Sequence, residues 1–275
     1  MGGNMAGAYS HLALGVLLGG LVAVLSHRLR TLTAGGAMAM FALAVPIFGF
    51  GGWKWTLPIA VFFILSSLLS RLGRSAKARY DSVFEKGSRR DGGQVLANGG
   101  VAGALMVLSL VSGWPSLYPY YCAALASATA DTWATEVGTL SGQRPRRIPC
   151  FRPVPAGASG GVTLAGLLSA LAGGMTIALS GWVFLRAESG ASQLLYLVGL
   201  SGFLGSLVDS LLGATLQVQY RCPACGVVTE RRVHCGGRRT APVSGFRWMN
   251  NDAVNFLATL SGPGFLHLGM IWMRG

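Results

Sequence analysis

Acidic residues are scarce in this chain. Nine of 275 residues are Asp or Glu, and charged residues of both signs make up only 11%, against about a quarter in ordinary soluble domains. A surface of interspersed charges, and with it an ordinary water-soluble domain, is therefore excluded. The five cysteines do not form the evenly stocked framework that staples small secreted domains. No basic cluster precedes the first apolar run, so a cleaved signal peptide is not expected. Ala6 stands where an N-myristoylation pattern needs Ser or Thr. The Gly-Lys-Ser/Thr ending of a nucleotide-binding P-loop is also missing, which argues against soluble P-loop chemistry.

What is present is apolar and small. Hydrophobic residues make up 52%, glycine contributes 41 residues, and mean hydropathy is +0.52. Glycine at this level suits close packing of helices in a bilayer. The expected class is all-α: a polytopic helical membrane protein, with residues 1–275 forming one domain. A span needs about 20 mostly apolar residues, and candidates fall at 10–26, 31–51, 53–70, 94–113, 116–138, 160–184, 192–216 and 252–272. That predicts about eight transmembrane helices in one bundle.

The net charge of +13 fits this reading better than it fits nucleic acid, because no groove-binding or base-stacking motif accompanies it. All of the 22 Lys and Arg except Lys54, Arg186 and Arg274 fall between spans one and two, three and four, five and six, or seven and eight. The positive-inside rule then places the loops 71–93, 139–159 and 217–249 in the cytosol and both termini outside. A prokaryotic plasma membrane is the expected location. Within the first loop, 76–86 reads as an amphipathic surface helix or as a solvated basic segment that meets anionic headgroups.

The uncommon polar groups gather at the cytosolic ends of the spans. Ala128 to Gly142, ATADTWATEVGTLSG, places Asp131, Thr132 and Glu136 at the end of an apolar run, with Trp133 expected as an interfacial anchor. An acidic group inside a span is a functional-site hypothesis by default. Asp131 and Glu136 are five residues apart, about 140° around an ideal helix, so a straight helix does not aim both at one ion. Gln94 and Asn98 share a helix face at the start of span four. Gly202, Ser206, Asp209 and Gly213 form one small, polar face on span seven, and a lone Asp there needs a metal, a proton or a cationic partner. Asn250, Asn251, Asp252 and Asn255 open span eight, where an N-cap accounts for one of them.

Two loops carry further chemistry. Arg144, Arg146, Arg147 and Arg152 are suited to phosphate. The Gly157, Ser159 and Gly160 segment is expected to open span six and offer its amides and helix dipole to an anion. Cys222 and Cys225 form a CxxC knuckle, and His234 with Cys235 would complete four zinc ligands. Adjacent residues do not easily reach the same tetrahedral ion, so plain reduced thiols are the alternative.

The strings ATADTWATEVGTLSG, PVPAGASGGVT, VDSLLGATLQVQYRCPACG and WMNNDAVNFLATL together resemble the integral-membrane family of transmembrane protein 19 and plant phytyl-phosphate kinase. The resemblance covers roughly 94–260. It implies an Mg2+-dependent prenyl-phosphate kinase that transfers a phosphoryl group from CTP or another nucleoside triphosphate to an isoprenoid monophosphate lipid. On that reading Asp131 and Asp209 hold the metal, with Glu136 and Asp252 as further acidic candidates. Gln94, Asn98, Thr132, Asn251 and Asn255 orient phosphates or metal waters. Arg146, Arg147, Arg152 and the amides from Gly157, Ser159 and Gly160 hold the nucleotide. DTWATEVG and GASGG also look like segments of polyprenol kinases and CDP-diacylglycerol synthases. Where those carry Lys near the glycines, this chain has Pro155-Ala156-Gly157. Two other readings use the same composition: a transporter coordinating a small ion or metabolite, and a non-catalytic lipid-binding protein.

Overall fold

A computed structural model describes residues 2–73, 89–114, 117–186 and 190–273. The segment 76–86 lies outside the described residues. Long apolar runs with few breakers form helices, because hydrocarbon leaves backbone amides no partner other than one another. They are α1 (Gly2–Arg28), α2 (Ala34–Pro46), α3 (Gly52–Leu72), α4 (Gly92–Ser112), α5 (Tyr118–Leu140), α6 (Leu164–Trp182), α7 (Ala191–Thr215) and α8 (Asn251–Trp272). Their starts are set by side chains that satisfy the first amides. Thr33, Thr163 and Asn250 accept from Gly36, Gly166 and Ala253. Asp91 and Gln94 form a reciprocal capping box at α4.

Among the described residues, six helical segments are long and apolar enough to cross a membrane: 9–28, 34–72, 92–112, 164–182, 191–215 and 251–272. The expected spans 31–51 and 53–70 thus form one helical run of 39 residues. At 1.5 Å per residue it would reach about 58 Å, nearly twice a hydrocarbon core. Pro46, the π-turn Ile47–Gly51 and Gly52, at φ +62, interrupt it. Both of its ends return to the same face of the bundle. Thr33 bonds Arg90, and the Arg71 guanidinium donates to Leu29 O at 3.0 Å beside the end of α1.

The expected span 116–138 is α5, which is not among those six. Its residues Tyr121 to Ala130 are buried without exception, because α3, α4, α6, α7 and α8 all pack around it. A helix sheathed by protein does not need a lipid-facing surface, so it can be rich in Ala, Ser and Thr. Small residues let its neighbours come close. A Cβ on Gly202 of α7 would lie 2.6 Å from that of Ala126. At the opposite end, Trp55 meets Tyr118 and Tyr121 edge to face, with ring centroids 5.2 and 4.8 Å apart. The Tyr121 hydroxyl donates to Trp55 O at 2.5 Å.

The all-α expectation needs correcting at two loops. The 141–163 connection holds β1 (Arg146–Arg147), β2 (Arg152–Pro153) and β3 (Gly161–Val162), in the order β2-β1-β3. The 217–250 connection holds β4 (Gln219–Arg221), β5 (Val228–Thr229), β6 (Val233–His234), β7 (Arg238–Arg239) and β8 (Ala241–Ser244), arranged as β5-β4-β8 plus the β6-β7 hairpin. Folded loops must pair their own backbone groups, and short antiparallel strands do so here. Both loops sit on the face where α5 and α7 end and α6 and α8 begin.

Candidate functional site

On that face the helix ends and the two loops enclose a cavity of about 740 Å³, within the range of small-molecule sites. Asp131 and Thr132 line it from α5, Ser206 and Asp209 from α7, Gln94 and Asn98 from α4, and Asn251 and Asn255 from α8. The Gly157–Gly161 segment covers one side. Asp131 and Asp209 face each other across the α5–α7 contact, within electrostatic and hydrogen-bonding range. Oδ2 of Asp209 is buried and finds no hydrogen-bond partner among the described residues. Two carboxylates turned toward each other in a low dielectric repel strongly, and a cation between them offsets that repulsion.

The helical angle separates Glu136 from this pair. α5 runs unbroken to Leu140, and Glu136 turns toward α3, where Ser70 Oγ donates to its Oε1 at 2.6 Å. Arg90 lies in electrostatic contact with Glu136 and lines the same cavity. Glu136 is 3% exposed, so a third acid lines the cavity apart from the Asp131–Asp209 pair. Asn98 Nδ2 donates back to Gln94 O at 2.9 Å, and the Gln94 side chain accepts from Asp91 N–H. Those two amides are partly committed to holding the start of α4.

Several sequence-based placements change. Arg146, Arg147, Arg152 and Asp252 are not among the residues lining the cavity, whereas Arg90 and Arg144 are. The β1–β2 turn directs the Arg146 guanidinium to Phe151 O at 3.0 Å instead. The Gly157–Gly161 segment is a turn leading into β3 and not the first turn of a helix. α6 starts only after Thr163, so the helix dipole belongs three residues further on. The Trp133 ring packs on Gly173 of α6, where a Cβ would come within 3.2 Å. Ser70, Arg90 and Glu230 were missed by reading the sequence. Glu230 alone had a signal, as an acid set between the CxxC knuckle and the His-Cys pair in an otherwise basic loop.

Gly160 fixes the lid of the cavity. It has φ +71, and a Cβ there would sit 2.5 Å from Ala214 N and Ser210 O of α7. Gly160→Ala should push the segment off α7 and weaken whatever ligand the cavity holds at least several-fold while the helices stay folded. Titration of ligand binding, alongside circular dichroism in detergent, checks this.

The second cluster lies in the 217–250 loop. One ligand atom from each of Cys222, Cys225, His234 and Cys235 falls within 4.8 Å of the others. His234 Nδ1 is 3.5 Å from Cys225 Sγ and 3.2 Å from Cys235 Sγ. The objection that neighbours cannot share an ion is answered by the backbone: Cys235 sits at φ +41, with Gly236 and Gly237 also at positive φ. That turn swings the Cys235 side chain round beside His234. Backbone amides of Cys225 and Ala224 pull the Cys222 thiol down to about 6, whereas hydrogen bonding from Cys225 and loss of solvent push Cys235 up to about 11.

The fold and the site together define a polytopic membrane protein with a polar, carboxylate-floored cavity at one end of its helices. The chain belongs to the family described as integral membrane protein DUF92, whose profile matches residues 17–263. It is 36% identical to Protein PGR of Arabidopsis thaliana over 267 residues, covering 89% of this chain and 91% of that one. It is 29% identical to an uncharacterized membrane protein of Methanocaldococcus jannaschii, covering 88% and 87%. With Protein VTE6, chloroplastic, of Arabidopsis thaliana, identity is 23%, covering 82% and 61%. No solved structure matches.

Proposed function

We propose that this protein is a membrane-embedded kinase that transfers a phosphoryl group from CTP or another nucleoside triphosphate to an isoprenoid monophosphate. The observation that carries the reading is the Asp131–Asp209 pair, with the orphaned Oδ2 of Asp209, at the floor of a cavity that also exposes Arg90, Arg144 and a glycine-rich turn. Carboxylate oxygens without cationic side chains between them suit a hard cation, and Mg2+ commonly takes one or two carboxylates and completes its shell with waters and phosphates. When bound, it supplies neutralisation of the charge carried by the transferring phosphate.

Phosphoryl transfer asks the protein mainly for positioning and electrostatic stabilisation. Asp131 and Asp209 fix the cation site from two helices that cannot move independently. Arg90 and Arg144 attract the anionic reactants, and the amides and hydroxyl around Ser159 border the triphosphate. Thr132, Asn98, Asn251 and Asn255 would orient phosphate oxygens at this site. No general base is required, because a monophosphate acceptor is already ionised. The isoprenoid tail lies between helices, with its phosphate reaching the cavity from the lipid boundary. The topology proposed with this site has eight crossings, the basic loops and cavity facing the cytosol.

The test is transfer in detergent from labelled CTP or ATP, with magnesium, to phytyl and geranylgeranyl monophosphate. A labelled isoprenoid diphosphate is the expected product. No product with any donor, from folded protein, sinks the assignment; solute flux in proteoliposomes would then favour transport.

A further inference from the structure

We propose that Cys222, Cys225, His234 and Cys235 bind one zinc ion that fixes Glu230, and through it the glycine-rich turn, at the rim of the cavity. The inference stands apart from the reaction assigned above, since it concerns a metal some way along a loop from the Asp131–Asp209 pair.

The donor set is the first support. Three sulfurs and one imidazole suit a tetrahedral, structural zinc site, and the four ligand atoms lie within 4.8 Å of one another. Sulfurs bound to one zinc at about 2.3 Å would stand slightly under 4 Å apart, so the ligands need little movement to close on an ion. The backbone supplies the second support, because both halves of the site are bent for the purpose. In the first, Cys222 N–H donates to Val227 O and Gly226 N–H to Cys222 O, with Gly226 at φ +71. In the second, the left-handed Cys235 brings two consecutive residues to the same point. A non-glycine residue in that region carries a conformational cost, which a metal–sulfur bond offsets.

The position of the cluster gives it a task. β4 carries the chain out from α7 to Cys222, β5 returns it to Thr229, and Glu230 follows before β6 leads to His234. The two ligand pairs therefore bracket Glu230. At the base, β4 is held by β5 and β8, and Val218 N–H donates to Met249 O beside the start of α8. At the tip, the small β6-β7 hairpin, Thr240 bonded to Arg231 O and Arg232 O, and the Cys/His cluster join the two limbs. Ser159 Oγ donates to Glu230 Oε1 at 2.6 Å, and both residues line the cavity. Tying the tip thus restrains Glu230, and Glu230 accepts from Ser159 in the turn that borders the cavity. A strand pair of two residues supplies too little burial for that.

Metal analysis of the full chain, purified in detergent without a polyhistidine tag, tests the site. About one zinc per chain is expected in wild type and less than about a tenth in Cys225→Ser. Because that variant can fail to fold, wild-type protein is also stripped with a zinc chelator and followed by hydrogen exchange. Faster exchange is expected across 219–241 and at 157–161, with 121–130 in the buried helix unchanged, and added zinc should restore protection. Cobalt in place of zinc should give thiolate-to-metal absorption. Wild type without stoichiometric zinc, or with Cys222 and Cys225 joined as a disulfide, overturns the site. Zinc bound with no change at 157–161 on its removal overturns the link through Glu230. Glu230→Ala should keep the zinc and lose the protection at 157–161 alone.

Discussion

Asp209→Asn should lower phosphoryl transfer on the order of 100-fold or more, the scale on which removing one preorganised electrostatic partner acts, and Asp131→Asn should do the same. Asn keeps the size of the side chain and removes the charge. The double variant should lose little beyond either single one, because the two carboxylates act as a unit on one cation. A separate readout guards against mere unfolding. Oδ2 of Asp209 is buried without a partner among the described residues, so replacing a carboxyl that the metal-free fold buries beside another relieves a cost. The thermal midpoint of Asp209→Asn without magnesium should equal or exceed that of wild type. Magnesium with nucleotide should stabilise wild type and leave the variant where it was. A variant with wild-type turnover would remove Asp209 from the proposed mechanism altogether.

The second large effect is structural. Gly205 of α7 abuts Ser127 of α5: a Cβ would come within 2.7 Å of the Ser127 Cβ and 3.2 Å of Ala258 O of α8. Three helices therefore meet at one small residue, one turn from Asp209. Gly205→Leu should cost about 1–3 kcal/mol or more, the usual penalty for overpacking. It should also displace Asp209 enough to abolish transfer. Gly100 of α4 is the control, because a Cβ there meets nothing within 4 Å. Gly100→Ala should leave stability unchanged or raise it by about 0.5–1 kcal/mol, as expected for glycine in a helix interior. Unfolding of the two variants in the same detergent checks the contrast; equal midpoints would mean that the α5–α7–α8 contact is not tight.

The two effects share one origin, which is the way α5 is placed. Lipid-facing helices need only an apolar surface, but α5 contacts protein on nearly every side. It can therefore carry Asp131, Thr132 and Glu136 into a region where lipid would exclude them. The small residues that permit close approach also make the carboxylates rigid, as a site held to within a fraction of an ångström requires.

The sequence by itself determined that the chain is helical and membrane-embedded, because hydrocarbon leaves few alternatives for runs of this length and composition. It also marked Asp131, Asp209, Gln94, Asn98, Thr132, Asn251 and Asn255, since polar groups at the ends of apolar runs are costly and stand out. The break between the expected spans 31–51 and 53–70 falls at Gly51 and Gly52, where the helical run is interrupted. Only the tertiary structure decided which of these groups meet. The 140° between Asp131 and Glu136 was computable in advance, but that Asp209 faces one and Ser70 the other depends on how α3 and α7 pack, which no local pattern carries. The arginines divide for the same reason. A run of four in one loop looks uniform in sequence, and a short β-turn sends Arg146 to Phe151 while Arg144 reaches the cavity. The Cys/His cluster depended on one backbone torsion: adjacent ligands look incompatible until Cys235 adopts positive φ, and such torsions are set by tertiary closure rather than by residue type.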